Sequence, residues 1–209
     1  MKFISLVSSG IDSPVATYLI SKKAEEIILL HADNRPFTDE REIENFLTIA
    51  KHLKKNISSS LKAYIVPHGT TLNVYKQSCN SRFTCVICKR MMVRYAEKIA
   101  EKEHADAIIM GDSLGQVASQ TLQNIRVVEQ AVKIPILRPL VGLDKEDVVK
   151  IAKEIGTYNL SILPSDGCSA VPTKPATMAK LDQILSEEQK IDVDSLVSIT
   201  VNNAKIVKI

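Results

Sequence analysis

The chain has 209 residues and a net charge of +3, with 45% hydrophobic and 24% charged residues. This balance is typical of a globular domain with a hydrophobic core and excludes a disordered chain. The sequence contains no run of 18 apolar residues, so it predicts no membrane-spanning helix. The start, MKFISLVSSG, is too short for a secretory signal, so we expect a cytoplasmic protein without membrane contact. The small net charge permits contact with nucleic acid without arguing for it.

Apolar runs and amphipathic segments alternate along the chain. Strands are predicted at residues 2–7, 26–31, 61–66, 105–110 and 134–137, and helices at 13–23, 38–55, 89–102 and 144–155. Thr38 and Asp144 are the expected helix caps, and residues 67–84 look like a polar connection. This order predicts an α/β fold, with a parallel sheet covered by helices on both faces.

The end of the chain is less regular than the rest. We predict one domain over residues 1–190 and a C-terminal extension over residues 191–209. The extension from Asp192 forms either a hairpin turning at Asn202 and Asn203 or a frayed helix.

Three polar clusters follow predicted strands, at residues 8–13, 31–34 and 111–120. Ligands of parallel α/β sheets bind beyond the carboxyl ends of the strands, so these clusters predict one site. In the first cluster, Ser8, Ser9 and Ser13 surround a helix N-terminus and form a candidate anion cradle. Asp12 suits such a site only if it holds a metal ion or caps the helix, and a simple Asp/Ser-capped helix is the alternative.

The segment SSGIDSPVA resembles the SGGxDS signature of the PP-loop ATP pyrophosphatases, and Ser9 stands where that family usually has its second glycine. Three further blocks, KRMMVRYAEKIAE, GDSLGQVASQTLQNI and LRPLVGLDKEDVVKIAKEIGT, resemble the tRNA 4-thiouridine synthetase (thiamine-biosynthesis protein I) family. The likeness covers nearly all of residues 1–190. It implies the PP-loop fold, of the adenine nucleotide alpha hydrolase-like type.

The resemblance implies a set of ATP-binding residues, with Mg²⁺ offsetting the phosphate charge at Asp12. These residues are Leu6, Val7, Ser8, Ser9, Gly10, Ile11, Asp12, Ser13, His31, Ala32, Lys89, Gly111 and Gln120. Lysine suits a phosphate partner, although a solvent lysine at a helix start is the alternative for Lys89. The third polar cluster, at residues 111–120, could likewise be a plain turn leading into a helix.

The cysteines indicate metal or redox chemistry more than structural disulfides. Cys85 and Cys88 form CVIC before a predicted helix whose N-terminus would stabilise thiolates, and Cys168 lies in SDGCSAVPTKP. Three cysteines without a fourth ligand fit an iron–sulfur cluster with an open iron, [4Fe-4S] or [3Fe-4S], better than closed zinc. The resemblance implies such a cluster and a catalytic Cys168. Persulfide or disulfide chemistry and structural zinc stay open.

The remaining candidate ligands show no spacing that connects them to this set. Cys79 is expected to be a free thiol on a loop, although it could replace one cluster ligand or close a zinc site. His52, His68 and His104 are expected to be surface residues.

The resemblance implies an ATP-dependent tRNA sulfurtransferase, in which a tRNA uridine is adenylated at O4 and sulfur then displaces AMP. Family members normally carry an N-terminal RNA-gripping module, and many bacterial members add a rhodanese-like domain. We expect both to be lacking, so a separate RNA-binding partner or a homodimer would present the tRNA. Sulfur would come from a donor protein or sulfide. Two alternatives stay open: a different adenylated acceptor, or a partner-dependent nucleotide-binding or iron–sulfur subunit without activity alone.

Overall fold

The sheet has six strands, and its order explains where the chain can build a site. The computed structural model describes all 209 residues. The strands are β1 (Lys2–Leu6), β2 (Glu26–Ala32), β3 (Ser60–Val66), β4 (Ala107–Ile109), β5 (Ile136–Leu137) and β6 (Lys205–Val207). They lie in the order β5-β4-β1-β2-β3-β6, parallel except for β6, which runs antiparallel to β3. The order reverses direction at β1, so the connections that follow β1 and β4 lead to opposite faces of the sheet and leave a crevice at the carboxyl ends of these strands.

Nine helices cover the sheet. They are α1 (Asp12–Ser21), α2 (Arg41–Asn56), α3 (His68–Ser78), α4 (Thr84–Glu103), α5 (Leu122–Glu129), α6 (Lys145–Glu154), α7 (Tyr158–Ser161), α8 (Leu181–Glu188) and α9 (Val193–Asn202). Short 3₁₀ turns occupy Ser81–Phe83 and Ala118–Gln120. None of the helices is both long enough and apolar enough to cross a membrane.

Both faces of the sheet are buried, as the predicted α/β architecture requires. Successive residues of a strand point to opposite faces. Phe3 accordingly packs with residues of α1 and α6, whereas its neighbour Ile4 packs with residues of α4 and α9. The buried run of β2 from Ile27 to His31 fits a strand covered on both sides. The predicted fold class is therefore confirmed.

The polar connection predicted at residues 67–84 is wrong. The chain forms α3 there, and α4 begins at Thr84, five residues earlier than predicted. The buried face of α3 includes His68, Thr71 and Tyr75, so hydrogen-bonding side chains take the place of the apolar stripe that marks most helices.

Two helix boundaries test the predicted caps. Helix α2 begins at Arg41, and Thr38 does not cap it. Asp144 is the N-cap residue of α6. Gly156 follows that helix with φ at +76°, a conformation that favours glycine.

The end of the chain is neither a hairpin nor a frayed helix. Val197 and Val201 of α9 are buried in the core cluster beside α4, and the hydroxyls of Thr200 and Thr71 lie 2.9 Å apart. Strand β6 then pairs with β3 at the edge of the sheet. The chain after Asp192 thus completes the core on one face, and a domain boundary at residue 190 stays a prediction.

Candidate functional site

A cavity of about 300 Å³ lies beyond the carboxyl ends of β1, β2 and β4. The three polar clusters of the sequence meet there, as the parallel sheet predicts. All the residues expected to bind ATP line it except Ser9: Leu6, Val7, Ser8, Gly10, Ile11, Asp12, Ser13, His31, Ala32, Lys89, Gly111 and Gln120. The cavity is thus built from segments more than one hundred residues apart in the chain.

The loop between β1 and α1 is tied to the start of its helix. The backbone N–H of Ser8 donates to Ser13 Oγ at 2.9 Å, and the N–H of Gly10 lies 3.3 Å from Ser8 Oγ. Ser9 has no positive φ, so this position does not need the conformational freedom of glycine. The serine at the usual glycine position is therefore accommodated without a left-handed backbone.

Gly111 is the point where two walls of the cavity touch. A Cβ added at Gly111 would lie 2.8 Å from both the N and the Cα of Ser13. Backbone atoms cannot yield as a flexible side chain would, so only glycine lets the end of β4 approach the α1 N-terminus this closely. The close approach fixes the width of the crevice between β1 and β4.

Three hydrogen-bond acceptors on the cavity walls have no partner in the protein: His31 Nε2, Asn34 Oδ1 and Gln120 Oε1. His31 Nδ1 lies 2.9 Å from the carbonyl oxygen of Val7, which can only accept, so Nδ1 carries the proton. Burial lowers the pKa of His31, which keeps the ring neutral and leaves Nε2 as an acceptor. A ligand with N–H or O–H donors, such as a base or a ribose, fits these atoms.

Lys89 is held by a carboxylate rather than exposed to solvent. Its Nζ lies 2.6 Å from Asp112 Oδ1, and the second oxygen of Asp112 accepts from Arg138 Nε at 3.2 Å. The Asp112 and Arg138 side chains are 6% and 8% exposed. Asp112 thus stands between two cations at the cavity wall, and Nη2 of Arg138 is buried without a partner.

Asp12 forms an ion pair that the sequence did not indicate. Lys145 Nζ, from the first turn of α6, lies 2.5 Å from Asp12 Oδ1. Reasoning from the sequence also missed Asn34, Glu42, Asp112 and Arg138. Asn34 and Asp112 lie inside the polar clusters at residues 31–34 and 111–120, and this was the signal available for them. Nothing in the spacing connects Lys145 with Asp12, which is 133 residues away.

The three candidate cysteines approach one another beside α4. Cys85 and Cys88 lie on its first turn, and all three thiols are partly buried and free of disulfides. Burial raises the pKa of Cys85, and the neighbouring Cys168 adds to the rise. Burial also raises the pKa of Cys88 to about 12. These surroundings favour thiols, so the expected stabilisation of thiolates by the helix terminus is outweighed.

The prediction that His68 is a surface residue is wrong. His68 is fully buried behind the cysteines, and its Nε2 lies 2.9 Å from the Tyr75 hydroxyl and 3.3 Å from Cys88 Sγ. Its Nδ1 lies 3.0 Å from the hydroxyl of Tyr95. Burial lowers the pKa of His68 to about 4, so the ring is neutral near pH 7.

The other singled-out residues lie apart from this group. His104 is exposed and His52 partly so, in line with their prediction as surface residues. Cys79 is a free thiol whose Sγ lies 3.4 Å from the carbonyl oxygen of Glu187. It takes no part in the cluster of the three other cysteines.

No three His, Cys, Asp or Glu side chains are arranged to hold a metal ion. This finding concerns single ions and does not bear on the predicted cluster, because the thiols of an iron–sulfur cluster bind different iron atoms and lie farther apart. The cluster at Cys85, Cys88 and Cys168 stays a prediction, and Cys88 Sγ lies 3.3 Å from His68 Nε2. A Mg²⁺ ion needs fewer protein ligands, since it commonly binds one or two carboxylates together with substrate phosphates and water. Asp12 on the cavity wall fits that role.

Comparisons with known proteins agree with this geometry. The family model of the thiamine biosynthesis protein (ThiI) matches residues 1–193. A probable tRNA sulfurtransferase of Methanothermobacter thermautotrophicus is 44% identical over 92% of this chain and 50% of its own length. The chain thus spans about half the length of this relative.

Solved structures give the same result. A 4-thiouridine synthetase in complex with RNA and bound ATP superposes with a TM-score of 0.94 at 35% identity, covering 99% of this chain and 54% of the other. The U34-tRNA thiolase NcsA of Methanococcus maripaludis, solved with its [4Fe-4S] cluster, has a TM-score of 0.52 at 16% identity, covering 97% of this chain and 66% of the other. The second likeness concerns the fold alone.

Proposed function

Since the chain belongs to the thiamine biosynthesis protein (ThiI) family, we propose that it binds ATP in the cavity and activates a tRNA uridine for sulfur transfer. The observation that carries the proposal is the set of unpartnered acceptors beside an anion cradle, in a fold that matches an ATP-bound 4-thiouridine synthetase. The acceptors suit the base and ribose, and the cradle suits the phosphates.

In the first step, the uridine O4 attacks the α-phosphorus of ATP. The bond to the bridging oxygen breaks, pyrophosphate leaves with the electron pair, and the N3 proton passes to solvent. The chain contributes backbone N–H groups at the α1 N-terminus, while Lys89 faces the developing negative charge from a position fixed by Asp112. Mg²⁺ at Asp12 would shield the phosphate charge.

In the second step, sulfur replaces AMP at C4. Hydrosulfide attacks C4, the C4–O bond breaks, AMP leaves, and the base tautomerises to the 4-thione. A Cys168 persulfide can attack in the same way with its terminal sulfur. A second thiol, for which Cys85 is the candidate, then attacks the Cys168 sulfur and releases the thiolated base. The disulfide that results needs a reducing thiol to reopen it.

The predicted iron–sulfur cluster is a separate proposal, because both steps balance without iron. Iron and labile sulfide in protein purified without oxygen test it directly. Near-stoichiometric iron that is lost in Cys85→Ala would support the cluster. Protein without iron that still thiolates tRNA would leave the thiols or free sulfide as the sulfur source.

The remaining partners are predictions from the sequence. tRNA is the proposed acceptor, as the names of the relatives suggest. An RNA-binding partner, a sulfur donor protein, a homodimer and a cytoplasmic location are consistent with it, and each needs its own measurement.

The test is a thiolation assay with unmodified tRNA, MgATP and sodium sulfide. We expect 4-thiouridine, detected by its near-ultraviolet absorbance, together with one AMP per thiolated base. When a persulfide donor protein replaces sulfide in the assay, Cys168→Ala should keep ATP binding and lose thiolation. A rate of AMP formation that is the same with and without tRNA would point to a different acceptor. ATP binding without any turnover would point to a partner-dependent subunit.

A further inference from the structure

Ser9 and Glu42 form a contact at the edge of the cavity that the proposed reaction does not use. Ser9 Oγ donates to Glu42 Oε2 at 2.6 Å, and the N–H of Ser9 donates to Glu42 Oε1 at 3.3 Å. Glu42 lies on the first turn of α2 and lines the cavity, 33 residues from Ser9 in the chain. One backbone N–H and one hydroxyl of the candidate phosphate loop thus hold a carboxylate with both of its oxygens. This is the way a loop holds a bound anion.

The charge of Glu42 is not balanced by an ion pair. Three carboxylates line the cavity, and two of them are paired: Asp12 with Lys145, and Asp112 with Lys89 and Arg138. Glu42 forms no salt bridge, and its partners are the two neutral donors of Ser9. Glu42 therefore places an unpaired negative charge where the phosphates of a nucleotide are expected.

We propose that Glu42 is an internal anion that competes with phosphate for the Ser9 donors and weakens the hold of the loop on pyrophosphate. The inference rests on the proposed nucleotide site and deepens it. Ser9 acts through Glu42, because its hydroxyl fixes the carboxylate against the loop. Weaker binding of pyrophosphate favours release of that product after adenylation. The serine at the usual glycine position thus gains a role in setting product affinity.

The test measures binding of inorganic pyrophosphate and of ATP, each with Mg²⁺, by titration calorimetry. Glu42→Gln keeps the size of the side chain and removes its charge, so it should bind pyrophosphate about fivefold to tenfold more tightly than the unmodified chain. The gain should shrink as salt rises, because screening weakens the repulsion. Glu44→Gln is the matched control, an exposed glutamate two residues along α2 that does not line the cavity, and it should change nothing.

Ser9→Ala tests the connection between the two residues. It removes the hydroxyl that fixes Glu42 and leaves only the Ser9 N–H for phosphate, so pyrophosphate should bind more tightly than to the unmodified chain and less tightly than to Glu42→Gln. Adding Ser9→Ala to Glu42→Ala should give no gain beyond Glu42→Ala alone, because both changes release the same contact. Melting temperatures within a few degrees of the unmodified chain establish that each variant is folded.

The outcomes separate this inference from the function on which it rests. Pyrophosphate binding that is unchanged or weaker in Glu42→Gln, while ATP still binds, would overturn the internal-anion role alone. Weaker pyrophosphate binding by Glu42→Gln would indicate instead that the Glu42 carboxylate is a ligand of the MgATP complex. Failure of the unmodified chain and of every variant to bind ATP would overturn the nucleotide site together with this inference.

Discussion

Asp112 shows how a single residue can determine the geometry of the site. Its two oxygens hold Lys89, the candidate phosphate partner, and Arg138, a nearly buried guanidinium. A buried charge pair adds little net stability compared with an apolar pair. Removing one partner is costly, however, because the other charge is left without compensation. Asp112 therefore supports the fold and fixes Lys89 at the same time.

Asp112→Asn is expected to lower the free energy of unfolding by about 3 kcal/mol, because it leaves Lys89 without a countercharge and Arg138 with only the exposed Glu129. Urea denaturation measures the change. The matched control is Glu129→Gln. Glu129 lies 3.7 Å from the same Arg138 but is 53% exposed, so its loss should cost less than about 1 kcal/mol. Equal effects of the two substitutions would contradict the assignment of Asp112 as the main partner.

Gly111→Ala should displace the loop at the α1 N-terminus, because the added Cβ would meet the backbone of Ser13 at 2.8 Å. We expect a loss of about 1–3 kcal/mol in stability and weaker ATP binding. Gly142→Ala is the control, since a Cβ there meets nothing within 4 Å. A Gly111→Ala variant with the stability and the ATP affinity of Gly142→Ala would show that the close approach is not required.

At the scale of elements, Glu188 joins α8 to α4, the helix that carries Cys85 and Cys88. It lies at the end of α8, which follows the Cys168 loop, and accepts two hydrogen bonds from Arg90 and two from Arg94 of α4. Arg90 is 1% exposed. Burial alone would raise the pKa of Glu188, but the hydrogen bonds from Arg90 and then Arg94 outweigh it and lower the pKa to about 2. Helix α8 is thereby held against the helix of Cys85 and Cys88.

This pKa predicts the dependence of stability on pH. A carboxyl group whose pKa is lowered in the folded state stabilises the fold above its unfolded pKa of 4.5, and the stabilisation is lost as pH falls toward 2. Glu188→Gln should therefore cost about 3 kcal/mol at pH 7, and the difference from the unmodified chain should shrink between pH 4.5 and pH 2.

Chemical denaturation across that range measures the difference. Glu101→Gln removes an exposed partner of Lys98 and serves as the control, with an expected effect below about 1 kcal/mol at every pH. A difference for Glu188→Gln that stays constant from pH 7 to pH 2 would contradict the role of this charge.

The sequence was informative where the local pattern of residues reflects the strand or loop that they form. Apolar runs predicted the parallel strands, and the polar residues after them predicted which segments meet at the cavity. The start of α4 and all of α3 could not be predicted, because His68 and Tyr75 replace the usual apolar stripe with a buried hydrogen-bond network. The contacts of Lys145 with Asp12 and of Ser9 with Glu42 depend on tertiary packing, which no local pattern records.

At the scale of the whole molecule, the last helix and strand belong to the same core as the site. Val197 and Val201 of α9 are buried in the cluster that contains residues of α4, whose first turn bears Cys85 and Cys88. The ThiI family model ends at residue 193, so this completion of the core lies just outside the matched region.

A chain ending at residue 192 should lose about 3 kcal/mol or more of stability, because two buried valines and the Thr71–Thr200 contact are removed. Ending the chain at residue 204 removes β6 alone, whose Lys205 and Ile206 are exposed, and should cost much less. Thermal denaturation of the two shortened chains measures the difference. Equal stability of both would contradict the role of α9 in the core.

The central claim is that the cavity between β1 and β4 is an ATP site, and titration of MgATP into the chain tests it most directly. We expect one ATP per chain, and Lys89→Met should bind ATP at least about tenfold more weakly, because a charge-assisted contact to phosphate is lost. Lys102→Met, a lysine near the other end of α4 that does not line the cavity, should leave the affinity unchanged. Absence of ATP binding, or equal affinity in all three proteins, would contradict the claim.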